Sequence, residues 1–217
     1  LEELRCALYV SRLTTGDHAI VGEPYWSVVN DRQVFVIDEP SRIGEVWTYA
    51  PGAAAPSRVT HIYDYLDRDF ALPRQDRIAW TGADGIAIEG ILTYPTDYRP
   101  GTRYPLIVQM HGGPEASDRF GWGSILYNYQ PAWAARGYAI LRPNYRGSSG
   151  YGSAFYREPV GGYFKNSHLD VLAGVDRVIG MHAAASRSYR TPTLNELHRG
   201  FRAGNVVTNP NALLEPE

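Results

Sequence analysis

One stretch restricts the fold more than any other. Pro105-Leu106-Ile107-Val108-Gln109-Met110 is a nearly unbroken apolar run that stops abruptly at His111-Gly112-Gly113-Pro114. It has strand length, it does not alternate, and turn residues bound it. That pattern predicts a strand covered on both faces, as parallel sheets require. The residues beyond it keep the same logic. Ile125 to Arg136 reads as a helix with Gly137 at the position just past its end, and Tyr138-Ala139-Ile140-Leu141 as the next strand. That strand empties into the glycine-rich loop Asn144 to Gly152. Ser167 then reads as an N-cap, with Asp170 near the positive end of the helix dipole. Val171, Val175 and Val178 mark one apolar helix face, with Leu172 and Ile179 beside them. Strand, helix, strand, helix predicts a parallel α/β sheet.

Upstream, the period is that of β-structure. Arg77 to Thr81 and Ile86 to Leu92 flank Asp84-Gly85, a hairpin signal because glycine accepts a positive φ without steric cost. Residues 1–75 read as short strands and turns. Val34 to Ile37 and Glu45 to Tyr49 are strands around a turn at Pro40 to Gly44, Pro51 to Pro56 is a loop, and Val59 to Ile62 is a further strand. With 16 Tyr and 5 Trp in 217 residues, such spacing suits a sandwich, a barrel or a propeller blade, but the strands are too few to close one.

Several classes of function are excluded in bulk. The formal charge of −2 gives no field for nucleic acid. A single cysteine, Cys6, permits no intrachain disulfide and no multi-cysteine metal site, and the six histidines form no H-E-x-x-H pattern. No cofactor or metal is therefore expected. Asn144 to Gly152 lacks the spacing of a phosphate-binding loop and reads as structural. No apolar run reaches the ~20 residues of a membrane span. The chain opens at Leu1 without a visible signal peptide, as a fragment or processed product would. A soluble protein, cytoplasmic or periplasmic, is expected, with the compartment left open.

Chemistry enters at His111-Gly112-Gly113-Pro114. Glycines at a strand end let the backbone approach a ligand, and their N–H groups can face a developing oxyanion. His111 reads as a turn-orienting residue, since no nucleophile is paired with it in the sequence. Linked in order, several segments resemble the prolyl oligopeptidase family of serine peptidases, in its acylaminoacyl-peptidase and dipeptidyl-peptidase branch. They are Trp80 to Gly85 with Glu89-Gly90, Tyr104 to Val108, His111 to Pro114, Gly137-Tyr138, Asn144 to Gly152 and Asp170 to Asp176. The resemblance covers about 1–181. It implies the last blades of a β-propeller over 1–75 and the N-terminal half of an α/β-hydrolase peptidase domain over 76–181. The fold class expected is thus α/β: an incomplete α/β-hydrolase parallel sheet, preceded by a partial, all-β propeller segment and succeeded by an irregular tail.

The family's activity is hydrolysis of oligopeptides through an acyl-enzyme, with the serine in a G-x-S-x-G elbow. No G-x-S-x-G occurs in this chain, and the family's Asp and His come later still. Of the family's site residues only Gly112 and Gly113 map, as backbone donors resembling half of the oxyanion hole. The expectation is a truncated peptidase, inactive as written. The alternatives are a non-catalytic peptide-binding or interaction remnant, and an outer-membrane receptor fragment. Self-association or aggregation is expected from an interrupted sheet. The receptor alternative comes from the tail, 182–217. There, Arg190-Thr191-Pro192-Thr193-Leu194-Asn195-Glu196-Leu197 and Phe201 to Val207 resemble the late β-barrel of TonB-dependent outer-membrane receptors, which implies a junction near 180–185.

Overall fold

The computed structural model describes residues 13–27, 31–82, 84–113, 116–122, 129–162, 165–182, 201–203 and 206–208. The chain forms two compact units, Leu1–Ala184 and Ala185–Glu217.

In the larger unit, β1 (Ala19–Ser27), β2 (Arg32–Glu39), β3 (Arg42–Tyr49) and β4 (Ser57–Arg58) form an antiparallel meander in sequence order. Phe35 and Ile37 alternate into its buried face, as β-branched and aromatic side chains on a pleated surface do. The ladder is irregular between Ile37 and Glu39, where Ile43 and Gly44 together oppose Asp38. The strand expected over Val59 to Ile62 does not form, and the last strand is the two-residue β4. Val59 and Ile62 are exposed, and the Val46 N–H that a fuller strand would have engaged donates instead to the Thr60 hydroxyl at 2.9 Å. A short helix, α1 (Asp64–Asp69), comes next.

The second sheet contains β5 (Gln75–Thr81), β6 (Ala87–Thr93), β7 (Leu106–Val108) and β8 (Ala139–Asn144) in the order β5-β6-β8-β7. The hairpin β5/β6 turns at Asp84-Gly85, and Gly85 takes φ +87° there. The sheet is mixed, not parallel: β6 meets β8 antiparallel and only β7/β8 run parallel. The sequence pattern separates the hairpin from the strands after it, but β6 joins both through β8.

α2 (Gln130–Ala134) occupies part of the helix expected from 125 to 136, and residues 123–128 lie outside the described set. The helix stops at Ala134, two residues short of the expected end at Arg136, and Gly137, at φ +84°, lies in the turn that follows, its N–H donating to Ala134 O at 3.0 Å. α3 (Ser153–Arg157) and α4 (Lys165–His182) complete the unit. Trp80, Ile88, Leu92, Tyr94, Ala139, Leu141 and Val178 form the core beneath α4. Burying side chains of this size stabilises by about 1.5–3 kcal/mol each. Gly174 of α4 lies flush on Trp80: a Cβ there would stand 2.7 Å from the indole. Val171 and Val178 face the core, but Leu172 points outward.

Ser167 is not the N-cap. It lies inside α4, and its hydroxyl donates to Arg146 O at 2.8 Å instead of accepting from the helix's own N–H groups.

In the smaller unit, β9 (Phe201–Ala203) and β10 (Val206–Thr208) pair antiparallel. Residues 183–200, which carry most of the receptor-like pattern, lie outside the described set. Among the described residues no helix is long and apolar enough to cross a membrane, and no group of His, Cys, Asp and Glu could hold a metal ion.

Candidate functional site

The parallel strands β7 and β8 end side by side, and their loops meet there. β7 is closed by Gln109, whose N–H donates to Leu141 O at 2.8 Å. The backbone then turns through His111, Gly112 and Gly113. Gly113 holds φ +99°, a conformation costly for an L residue. A Cβ at Gly112 would meet nothing within 4 Å, so that glycine leaves open space beside the backbone.

The histidine ring is fixed from the other loop. It stacks on Tyr145 at 4.7 Å between centroids, and the Tyr145 hydroxyl donates to His111 O at 2.5 Å. His111 Nε2 lies 2.9 Å from Ser148 Oγ. A serine against a histidine beside two glycines invites reading as a nucleophile and its base, but the proton inventory opposes it. Ser148 has one hydroxyl proton and donates it to Tyr145 O at 2.6 Å. Its oxygen therefore accepts from Nε2–H, and the imidazole has no proton to receive. Ser148 is also 0% exposed, so no substrate carbonyl reaches it. The pair is a clasp between loops, and His111 orients its turn.

The glycine-rich loop is anchored deeper by Arg146, which the sequence did not single out. Its backbone N–H donates to Asp170 Oδ2 at 3.0 Å, while Nε and one terminal nitrogen donate to the two carboxylate oxygens at 2.8 and 2.6 Å. The other terminal nitrogen pairs with Asp84 and reaches Glu158 at 3.5 Å. Hydrogen bonding to Asp170 raises the guanidinium pKa above its ordinary value, and the guanidinium in turn holds the Asp84 carboxyl below its own. Gly82 is required beside this pair, since a Cβ there would stand 2.7 Å from Asp170 Oδ1.

Past the glycine pair, residues 116–122 form a strap between the two sheets. Asn144 holds it in both directions: Asp118 N–H donates to Asn144 Oδ1 at 2.7 Å, and Asn144 Nδ2 donates to Asp118 O at 2.9 Å. Gln75 does the same at Gly121, at 3.0 and 3.3 Å. Arg142, 3% exposed, donates to Asp118 Oδ1 at a long 3.4 Å. Burial pushes the Asp118 carboxyl up and the Arg142 guanidinium down, each against the attraction of the other. Beside the strap lies a cleft of about 270 Å³, lined among others by Arg77, Glu89, Asp118, Asn144 and Tyr151. Tyr151 donates to Glu89 at 2.8 Å, and burial raises its phenol pKa. Bonds of this kind tie the Asn144 to Gly152 loop to β6, to the strap and to α4.

The chain is similar to known proteins. The prolyl oligopeptidase family model matches residues 126–188, running into the stretch that the sequence assigned to the tail. An uncharacterized peptidase, YuxL, of Bacillus subtilis (strain 168) is 30% identical over 156 residues, 71% of this chain and 23% of that protein. The acylamino-acid-releasing enzyme of Sus scrofa is 32% identical over 137 residues, 62% of this chain and 17% of the enzyme. Among solved structures, the acylaminoacyl peptidase of Pyrococcus horikoshii superposes with a TM-score of 0.67 at 21% identity, covering 82% of this chain and 27% of the peptidase. The chain thus spans about a quarter or less of the length of these relatives. The family these likenesses support is that of the prolyl oligopeptidases, which are serine peptidases and hydrolases acting in proteolysis.

Proposed function

We propose that this chain is the part of a prolyl oligopeptidase family peptidase that supplies the oxyanion arm but not the nucleophile. The observation that carries the reading is the loop at Gly112 and Gly113, placed at the C-terminal end of β7, with Gly113 in a conformation suited to glycine. In acyl transfer a negative charge develops on the carbonyl oxygen, and two preorganised N–H groups there stabilise it. The substrates of the intact enzyme are oligopeptides. The meander β1–β4 is the end of its propeller, residues 76–181 are the first half of its hydrolase domain, and the residues from 182 onward are foreign to this chemistry. A separate compact unit that starts a few residues later, at Ala185, and a sequence resembling TonB-dependent receptors support a division in this region, although the family model's match runs on to 188. The described hairpin β9/β10 is too short to close a barrel in lipid.

Without a G-x-S-x-G elbow the 217-residue polypeptide forms no acyl-enzyme. A fluorophosphonate probe tests this directly. No labelling is expected of the purified chain or of its Ser148→Ala variant. Stoichiometric labelling of the former that is lost in the latter would overturn both the inactivity and the clasp.

A further inference from the structure

The strap at 116–122 has two anchors that come from outside the α/β sheet, and the deeper one is a carboxylate. Asp38 of β2 is 1% exposed, and its Oδ2 accepts the Trp122 N–H at 2.6 Å. Gly121 lies directly on that carboxylate. It holds φ +96°, and a Cβ there would stand 2.3 Å from the Asp38 carboxyl carbon, so no other residue fits. The meander breaks its ladder at this point, since two residues of β3 face Asp38 alone, and such irregularities re-aim a side chain. A second contact, from Arg119 to Ile20 O at 3.3 Å, ties the same strap to β1.

The other end of the strap begins three residues past Gly113. There the Ser149 N–H donates to Ala116 O at 3.1 Å. Two intervening residues span at most about 10 Å between their flanking Cα atoms, so a displaced strap pulls on the glycine turn. On its near side that turn is already held by Tyr145 and Ser148.

We infer that Asp38 is a positioning residue for the Gly112 and Gly113 amides: the meander, through one buried carboxylate on the strap, fixes the far side of the oxyanion arm. The inference rests on the reading of that arm given above, but its geometry is testable without chemistry. Amide hydrogen exchange on the full 217-residue chain measures it. In Asp38→Ala, exchange at Gly112, Gly113 and the strap is expected to rise about tenfold or more, while Leu92 and Leu141 in the core stay within about twofold. Asp38→Asn keeps an acceptor oxygen of the same shape and is expected to restore protection to within about threefold of wild type. Phe35→Leu serves as a control, softening the same strand without touching this carboxylate. Unchanged exchange at the glycines in Asp38→Ala would overturn the inference. So would a uniform rise across the core, or an equal rise at the glycines in Phe35→Leu. Fluorophosphonate labelling bears only on the catalytic reading, so the two can fail separately.

Discussion

Two arginines four residues apart, Arg142 in β8 and Arg146 just beyond it, are both almost fully buried and both face an aspartate. Their surroundings could hardly differ more. Arg146 meets Asp170 through two side-chain bonds and one backbone bond, and further carboxylates take its remaining terminal nitrogen. Arg142 reaches Asp118 only at 3.4 Å, and among the described residues its Nε and Asp118 Oδ2 have no hydrogen-bond partner. Burial is thus offset at Arg146, whose pKa rises, and not at Arg142, whose pKa falls. A buried ion pair stabilises only where its hydrogen bonds are complete. Arg146 joins the hairpin turn, the glycine loop and α4, whereas Arg142 faces the strap that divides the sheets.

The contrast can be broken most forcefully at Arg146. Arg146→Met leaves Asp170, 0% exposed, without its cation, and a loss of about 3–5 kcal/mol is expected in urea unfolding. A loss below about 1 kcal/mol would erase the distinction between the two sites. The double variant Arg142→Met/Asp118→Asn is expected to unfold within about 1 kcal/mol of wild type, because removing both members of an ill-satisfied pair also removes their desolvation cost. The subtlest test is pH. The Asp118 carboxyl lies above its ordinary 3.8 in the folded state, so the folded chain favours its protonated form. The stability this group contributes is therefore present below 3.8 and lost as pH rises through the higher folded value. The Tm of wild type relative to Asp118→Asn should fall over that interval and then level off. A relative Tm that rises with pH would reverse the assignment.

These elements were unequally legible. The β5/β6 hairpin was plain because Asp84-Gly85 and the flanking alternation are local signals, and the glycine turn after α2 was too, although the helix itself stops earlier, at Ala134. The Arg146–Asp170 pair was not. Twenty-four residues separate its members, and no periodicity links them. Ser167 misled for a related reason: a serine ahead of an apolar helix face looks like a cap, but its hydroxyl was committed to the Arg146 carbonyl. The apolar content of Val59 to Ile62 suggested a strand, but a side-chain hydroxyl had taken the ladder's place. At the site, Gly112 and Gly113 were read from a strand-end motif. Asp38 was hidden because its partner is a backbone N–H 84 residues away, which any residue other than proline could provide.

The β5-β6-β8-β7 order has a consequence for the chain as it leaves the ribosome. Every pairing in that sheet is complete once Asn144 has emerged, and the hairpin that seeds it arrives first. The nascent sheet can therefore assemble before α4 is synthesised, with one apolar face still bare. Only when Asp170 and Val178 clear the exit tunnel does the helix arrive to shield that face, so translation itself sets the interval during which a chaperone has something to hold.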